Sequence, residues 1–169
     1  HIELDEWPDG FAEYRTAIQL EPKYGVDREL LRDVMTRFES GKDSEAQEAI
    51  DFITKHLKSN ANQRLAALAE HHRSRKVRKR ALKHLKDTGE IANLEEWAQL
   101  TIELRHASGC ESNKKVIIRI GELGDPRTLA ALQRFDALPK DRCDGKDCWE
   151  CLRSDLRESI RKLKERAAM

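Results

Sequence analysis

Three of the four cysteines fall close together, Cys143, Cys148 and Cys151, in the spacing C-x4-C-x2-C, and Cys110 lies far upstream. Thiols gathered this way support three states. Thiolates are soft ligands, and C-x-x-C is the usual half-site of a tetrahedral zinc centre, with Cys110 or His106 as the remaining ligand. The sulfurs can instead bond to one another, as Cys143–Cys148 or Cys110–Cys151. Or they stay thiols, with Cys110 and Cys151 as small core residues. A second C-x-x-C is missing, so unmetallated thiols are the leading expectation; zinc and a disulfide stay open. A redox-active C-x-x-C would need a thioredoxin-like strand–helix–strand setting, which the sequence does not offer.

The second group that could do chemistry is a run of cations: Arg73, Arg75, Lys76, Arg78, Lys79, Arg80, Lys83 and Lys86. Clustered cations can neutralise phosphates or acidic side chains. The aromatic residues that single-strand binders interleave for stacking are missing, so a solvated helix face is the leading reading. His71 and His72 are adjacent and would point about 100° apart on a helix, a poor shared metal site. No glycine-rich phosphate loop, H-E-x-x-H or G-x-S-x-G is present, and no carboxylate stands out as an acid or base. The expectation is a protein without catalytic activity.

The composition bounds what could position these groups. The 169 residues suit one domain, 1–169, and charged residues make up 37% against 5% aromatics, a profile that fits solvated helices. Lys plus Arg number 32 and Asp plus Glu 31, so no global field draws the chain to nucleic acid or to a membrane. No apolar run approaches the roughly 20 residues of a membrane span, and no signal peptide is visible. Sparse cysteines point to a reducing cytoplasm. An opening at His1 rather than Met suits a piece of a longer parent chain.

Apolar residues recur at three- and four-residue steps, which predicts helices throughout and no strand. His1 to Pro8 reads as an extended lead-in. A first helix spans 9–21, with Phe11, Tyr14, Ala17, Ile18 and Leu20 on one face, and stops at Pro22. Asp27 caps the next, which buries Leu30, Leu31, Val34, Met35 and Phe38. Asp43 or Ser44, Ser74 and Asn93 are further caps. Leu138 to Lys146 is a polar loop, and the last helix runs from about Cys148 to Arg166. Helices thus pair over 27–57, 63–88, 93–123 and 126–166.

One phrase recurs in the second helix of each pair: small or aliphatic, apolar, two variable residues, apolar. It reads Ala49-Ile50-Asp51-Phe52-Ile53, Ala81-Leu82-Lys83-His84-Leu85, Val116-Ile117-Ile118-Arg119-Ile120 and Ser159-Ile160-Arg161-Lys162-Leu163. The copies lie 81−49=32, 116−81=35 and 159−116=43 residues apart, in the range of stacked helical repeats. The last offset sets Cys110 against position 153, near Cys151.

Two stretches carry a resemblance. Gly121-Glu122-Leu123-Gly124-Asp125-Pro126-Arg127-Thr128-Leu129-Ala130-Ala131-Leu132 is similar to the junction between successive HEAT repeats, the armadillo-like stacked hairpins. Val77-Arg78-Lys79-Arg80-Ala81-Leu82 resembles the family's Val-Arg-x-x-Ala-Leu, whose arginine often reaches a neighbouring repeat's aspartate; Arg78 is the matching residue. The copy from Cys110 departs from the pattern with Asn113 and Lys114, and the last copy with Ser159. Tyr14 to Pro22 resembles the second helix of a tetratricopeptide repeat. The resemblance implies an all-α short solenoid of about four HEAT-like hairpins plus one extra N-terminal helix. It implies a protein–protein scaffold, with a layout similar to helical-repeat blocks of large bacterial signalling proteins. Cations beside the recurring phrase, Arg78, Lys79, Lys83, Lys115, Arg119, Arg157 and Arg161, are the expected contacts to an acidic protein or peptide. Nucleic-acid backbone binding through 73–86, and a zinc- or thiol-stabilised structural module, are the alternatives.

Overall fold

The computed structural model describes residues 7–141 and 143–168, and among them the architecture is all-α with no strand. The helices are α1 (Trp7–Leu20), α2 (Arg28–Phe38), α3 (Asp43–Phe52), α4 (Asn62–His71), α5 (Arg75–Asp87), α6 (Glu96–His106), α7 (Cys110–Leu123), α8 (Leu129–Asp136) and α9 (Arg153–Ala167). The expected extended lead-in over 1–8 lies outside the described residues up to position 6; Trp7 and Pro8 already belong to α1. The four expected pairs form: α2 packs on α3, α4 on α5, α6 on α7 and α8 on α9. The chain gathers into two compact units that divide after Asn93.

In the first unit, α1 docks by stacking Phe11 on Phe52, with ring centroids 4.8 Å apart, and the Tyr14 hydroxyl donates to Asp33 at 2.7 Å. Leu20, expected on that inner face, is 77% exposed because Pro22 turns the chain directly after it. Asp27 caps α2 as expected, accepting from the amides of Glu29 and Leu30. The α2 stripe Leu30, Leu31, Val34, Met35 and Phe38 is fully inside. Burying such side chains contributes about 1.5–3 kcal/mol each, which is what converts the periodicity into a fold.

Other expected caps fail. Asp43 lies inside α3, whose N-cap is Lys42, and neither Ser74 nor Asn93 caps by its side chain. Before α5, the His72 ring accepts from the Ser74 amide instead, at 3.0 Å. The end of α3 widens into a π turn over Ile53–Leu57, followed by Lys58 at φ 48°. The turn keeps Ile53 and Leu57 both buried.

In the second unit, α7 packs against both α6 and α9. Leu100, Leu104, Ile117, Ile120, Leu132, Leu152, Leu156 and Leu163 form its core. Contact between α7 and α9 is close because small residues meet: a Cβ on Gly121 would sit 2.6 Å from the Ser159 hydroxyl, which donates to the Ile117 carbonyl at 3.0 Å. Ser159 opens the fourth copy of the recurring phrase, and its small size is the packing reason for it. The expected junction holds. Gly124 is left-handed at φ 69°, Asp125 accepts from the Arg127 amide, and Pro126 begins a single 3-10 turn before α8. Ala131 is the inward alanine of α8; Ala130 is exposed.

The last helix starts at Arg153, not near Cys148. The preceding loop holds a two-residue turn that the polar-loop reading missed. Cys143 and Lys146 exchange both backbone hydrogen bonds around Asp144 and Gly145, which have φ 51° and 77°. Asp-Gly is the sequence signal for a turn with two positive φ angles.

Candidate functional site

All four sulfurs are bonded to one another: Cys110 to Cys151 and Cys143 to Cys148. This corrects the leading expectation of unmetallated thiols, and it removes these sulfurs as a zinc tetrad. Among the described residues no cluster of His, Cys, Asp and Glu could hold a metal ion. The physical reason for the first bond is the packing of α7 on α9, which brings the start of α7 beside the segment leading into α9. The reason for the second is the Asp144-Gly145 turn, which folds Cys143 back toward Cys148. The expectation of a reducing cytoplasm rested on cysteines too sparse for disulfides and loses that basis.

The seven expected partner-binding cations have different fates. Arg78 donates to the carbonyls of His72 and Arg73 at 2.6 and 3.0 Å, closing the C-terminal end of α4. Arg157 donates to the Arg153 carbonyl at 3.1 Å. Arg119 pairs with Glu96 at 2.7 Å and with Glu122, which raise its pKa. Arg161 bridges Glu158 and Glu165 along the exposed face of α9. Lys83 pairs with Asp87 on α5. Lys79 and Lys115 are exposed and make no ion pair among the described residues.

A contact to a neighbouring hairpin's aspartate, of the kind expected of Arg78, is made by Arg80. Its guanidinium donates to the Phe38 and Ser40 carbonyls and to the Asp43 carboxylate at 3.1 Å, and it lies 5.8 Å from the Phe38 ring centre. Lys76 adds a 2.8 Å ion pair to the same Asp43, and the two cations, Lys76 foremost, hold that carboxyl below its ordinary pKa. Arg80 thus staples α5 to the end of α2 and the start of α3. Sequence spacing gives no signal that separates Arg80 from Arg78; only the meeting of helix ends does.

Beside this staple, α3 and α5 leave an open groove of about 440 Å³. Gln47 and Ile50 line it from α3, and Lys79, Arg80, Lys83 and His84 from α5, with Asp43 and Asp87 also on its walls. It combines an apolar strip at the half-buried Ile50 with the unpaired ammonium of Lys79. His84 is buried, and burial lowers its pKa despite Asp87 and Glu90 nearby, so the ring is neutral at pH 7. Position four of the recurring phrase therefore has a role that the repeat pattern did not anticipate: His84 and Phe52 occupy it in the first unit and both point inward.

In the second unit, Arg153 performs the closing role. It is 8% exposed and donates to the Asp136 carbonyl at 2.7 Å, the Asp136 carboxylate at 3.0 Å, the Leu138 carbonyl at 3.2 Å and the Asp147 carboxylate at 2.7 Å. Arg153 holds the Asp147 carboxyl below its ordinary pKa. Trp97 donates to Glu95 at 3.0 Å and lies under the Arg127 guanidinium, 4.6 Å from its ring centre.

Comparison with known proteins yields no match: no family model, no curated protein and no solved structure is significantly similar to the chain. No helix among the described residues is long and apolar enough to cross a membrane.

Proposed function

We propose that the chain is a non-catalytic interaction module of HEAT-like helical hairpins. It holds an acidic segment of a partner protein in the groove between α3 and α5. The observation that carries this reading is the distribution of cations on α5. The first turn of a helix favours acidic residues, because the unpaired amides there carry partial positive charge. Yet α5 begins Arg75-Lys76-Val77-Arg78-Lys79-Arg80, with no acid in its first turn. Lys76, Arg78 and Arg80 are accounted for by Asp43 and by helix-end carbonyls. Lys79 is not, and it lines the groove beside Ile50 and Lys83. The strip of available cations thereby narrows from seven expected residues to Lys79, with Lys115 as an outlier on α7; Lys83 lines the same groove but is already paired with Asp87. The two disulfides support an oxidising compartment rather than the cytoplasm, since such bonds persist where thiols are not kept reduced.

A fluorescein-labelled polyglutamate peptide containing one leucine tests the reading by anisotropy. The intact protein binds it, the affinity falls with salt, and Lys79→Glu combined with Lys83→Glu abolishes it. Unchanged binding by that variant rejects the groove. A random DNA duplex of equal charge is the control: binding it more tightly than the peptide at low salt would favour the nucleic-acid reading instead.

A further inference from the structure

We infer that the cavity between α6, α8 and the loop before α9 binds a small aromatic carboxylic acid, its ring inside and its carboxylate against Arg105 and Arg134. The site lies wholly in the second unit. The inference is independent of what occupies the α3–α5 groove.

The cavity has a volume of about 150 Å³. A cavity of that size holds one benzene ring. It is well below the roughly 300 Å³ at which pockets for drug-sized ligands begin. The occupant is therefore a single ring with a short arm, not a polypeptide segment. Its lining is apolar. Leu104 and Ala131 are buried, and Phe135, Leu138 and Trp149 are half-buried. Phe135 and Trp149 are tilted by 58°, with ring centroids 5.2 Å apart. A third ring can join such a pair edge to face, the arrangement that aromatic quadrupoles favour. The lining carries one hydroxyl, that of Thr101, which is buried and donates to the Ala98 carbonyl at 3.1 Å. The interior therefore selects for apolar surface.

The charge at the mouth is one-sided. Arg105 and Arg134 line the cavity and are both exposed, and among the described residues no acid lines it. Arg105 makes no ion pair among the described residues. Each arginine stands in the last turn of its helix, α6 or α8, where a cation complements the partial negative charge of the end carbonyls. That accounts for one cation on each helix, but not for two at one cavity. The same carbonyls also choose the anion. They add negative charge near the mouth, so a singly charged carboxylate is favoured over a doubly charged phosphate. A guanidinium holds a carboxylate through two parallel N–H donors.

Isotope-labelled protein titrated with phenylpropionate and followed by NMR tests this. Saturable shifts of Arg105, Arg134 and the Trp149 indole N–H are expected, with a Kd on the order of 1 mM. Phenylpropionamide keeps the ring and loses the charge, and binds at least about fivefold more weakly. Butyrate keeps the charge and loses the ring, and is weakened at least as much. Arg105→Ala combined with Arg134→Ala removes the preference for the acid over the amide. Equal binding of acid and amide, butyrate binding as tightly as phenylpropionate, or shifts centred on Lys79 overturn the proposal. Tighter binding of phenyl phosphate, or of an acetylated peptide ending in phenylalanine, overturns the choice of a small carboxylic acid. Acid and amide are compared on the intact protein, so that result decides even if the double variant does not fold.

Discussion

The two units build hairpins from one phrase and close them differently. In the first, the fourth position of the phrase is Phe52 and His84, both buried; in the second it is Arg119 and Lys162, both exposed. The first unit thus has a wider apolar stripe on α3 and α5. Its helix ends are tied by arginines to carbonyls: Arg78 to the end of α4, Arg80 to the end of α2. The second has narrower stripes on α7 and α9 and adds covalent ties, Cys110–Cys151 and Cys143–Cys148. Its outward cations Arg119 and Arg161 are consumed by surface carboxylates, whereas Lys79 is left to face an open groove. A phrase that repeats in sequence specifies which way a helix faces its hairpin partner. It does not specify what the exposed positions are for.

The largest expected effect comes from cutting the second unit's long tie. Replacing Cys110 and Cys151 by serine lowers stability by about 4 kcal/mol on the chain-entropy account, against about 2 kcal/mol for Cys143 and Cys148. Urea unfolding of the two double variants measures both. Equal losses would show that the length of loop each bond closes does not set what it contributes. In the first unit, Arg80→Ala leaves the Phe38 and Ser40 carbonyls without their arginine donor and Asp43 with Lys76 alone, and costs about 2 kcal/mol. Arg161→Ala, which removes only exposed pairs, costs less than about 1 kcal/mol. Thermal melts that rank the two the other way would show that the staple is not what ties α5 to α2.

Gly121→Ala tests the close approach of α7 and α9. The added methyl group meets Ser159, so the variant loses about 1–3 kcal/mol despite alanine's better helix propensity. Adding Ser159→Gly restores part of that loss, a coupling that a double-mutant cycle reads directly.

The smallest effect is with pH. His56 and His84, both in the first unit, have pKa values pushed below the ordinary value near 6.5, chiefly by burial. A buried neutral histidine resists protonation, so the unfolded chain takes up the proton first as pH falls. Stability is complete above about pH 6.5 and declines as pH drops from there toward the folded value. His84→Gln flattens that slope. A first unit whose stability is level from pH 7 to 5 would mean that neither ring is protected.

Much of the frame was legible because it rests on local chemistry. Asp27 before Leu30 and Leu31, and Gly124-Asp125-Pro126 between two apolar runs, mark helix boundaries by rules that need no tertiary knowledge. The stripe of α2 was readable in full because five apolar residues share one face. Lys42 in place of Asp43 as N-cap, and the start of α9 at Arg153, were not, because loop geometry decides where the helix begins. The role of Arg80 was hidden for a related reason. Both lie on α5, and only the position of the α2 and α4 carbonyl ends assigns one arginine to each. Cysteine spacing set Cys110 beside Cys151, yet it could not tell a shared metal from a shared bond.

The central claim is that acidic partners are held by the first unit and not by the second. Binding of the polyglutamate peptide to two charge-reversed variants tests it most directly: Lys79→Glu with Lys83→Glu, and Arg119→Glu with Arg161→Glu. The account predicts that the first variant loses binding at least about tenfold while the second stays within about twofold of the intact protein. Loss in the second variant with the first unaffected would contradict it.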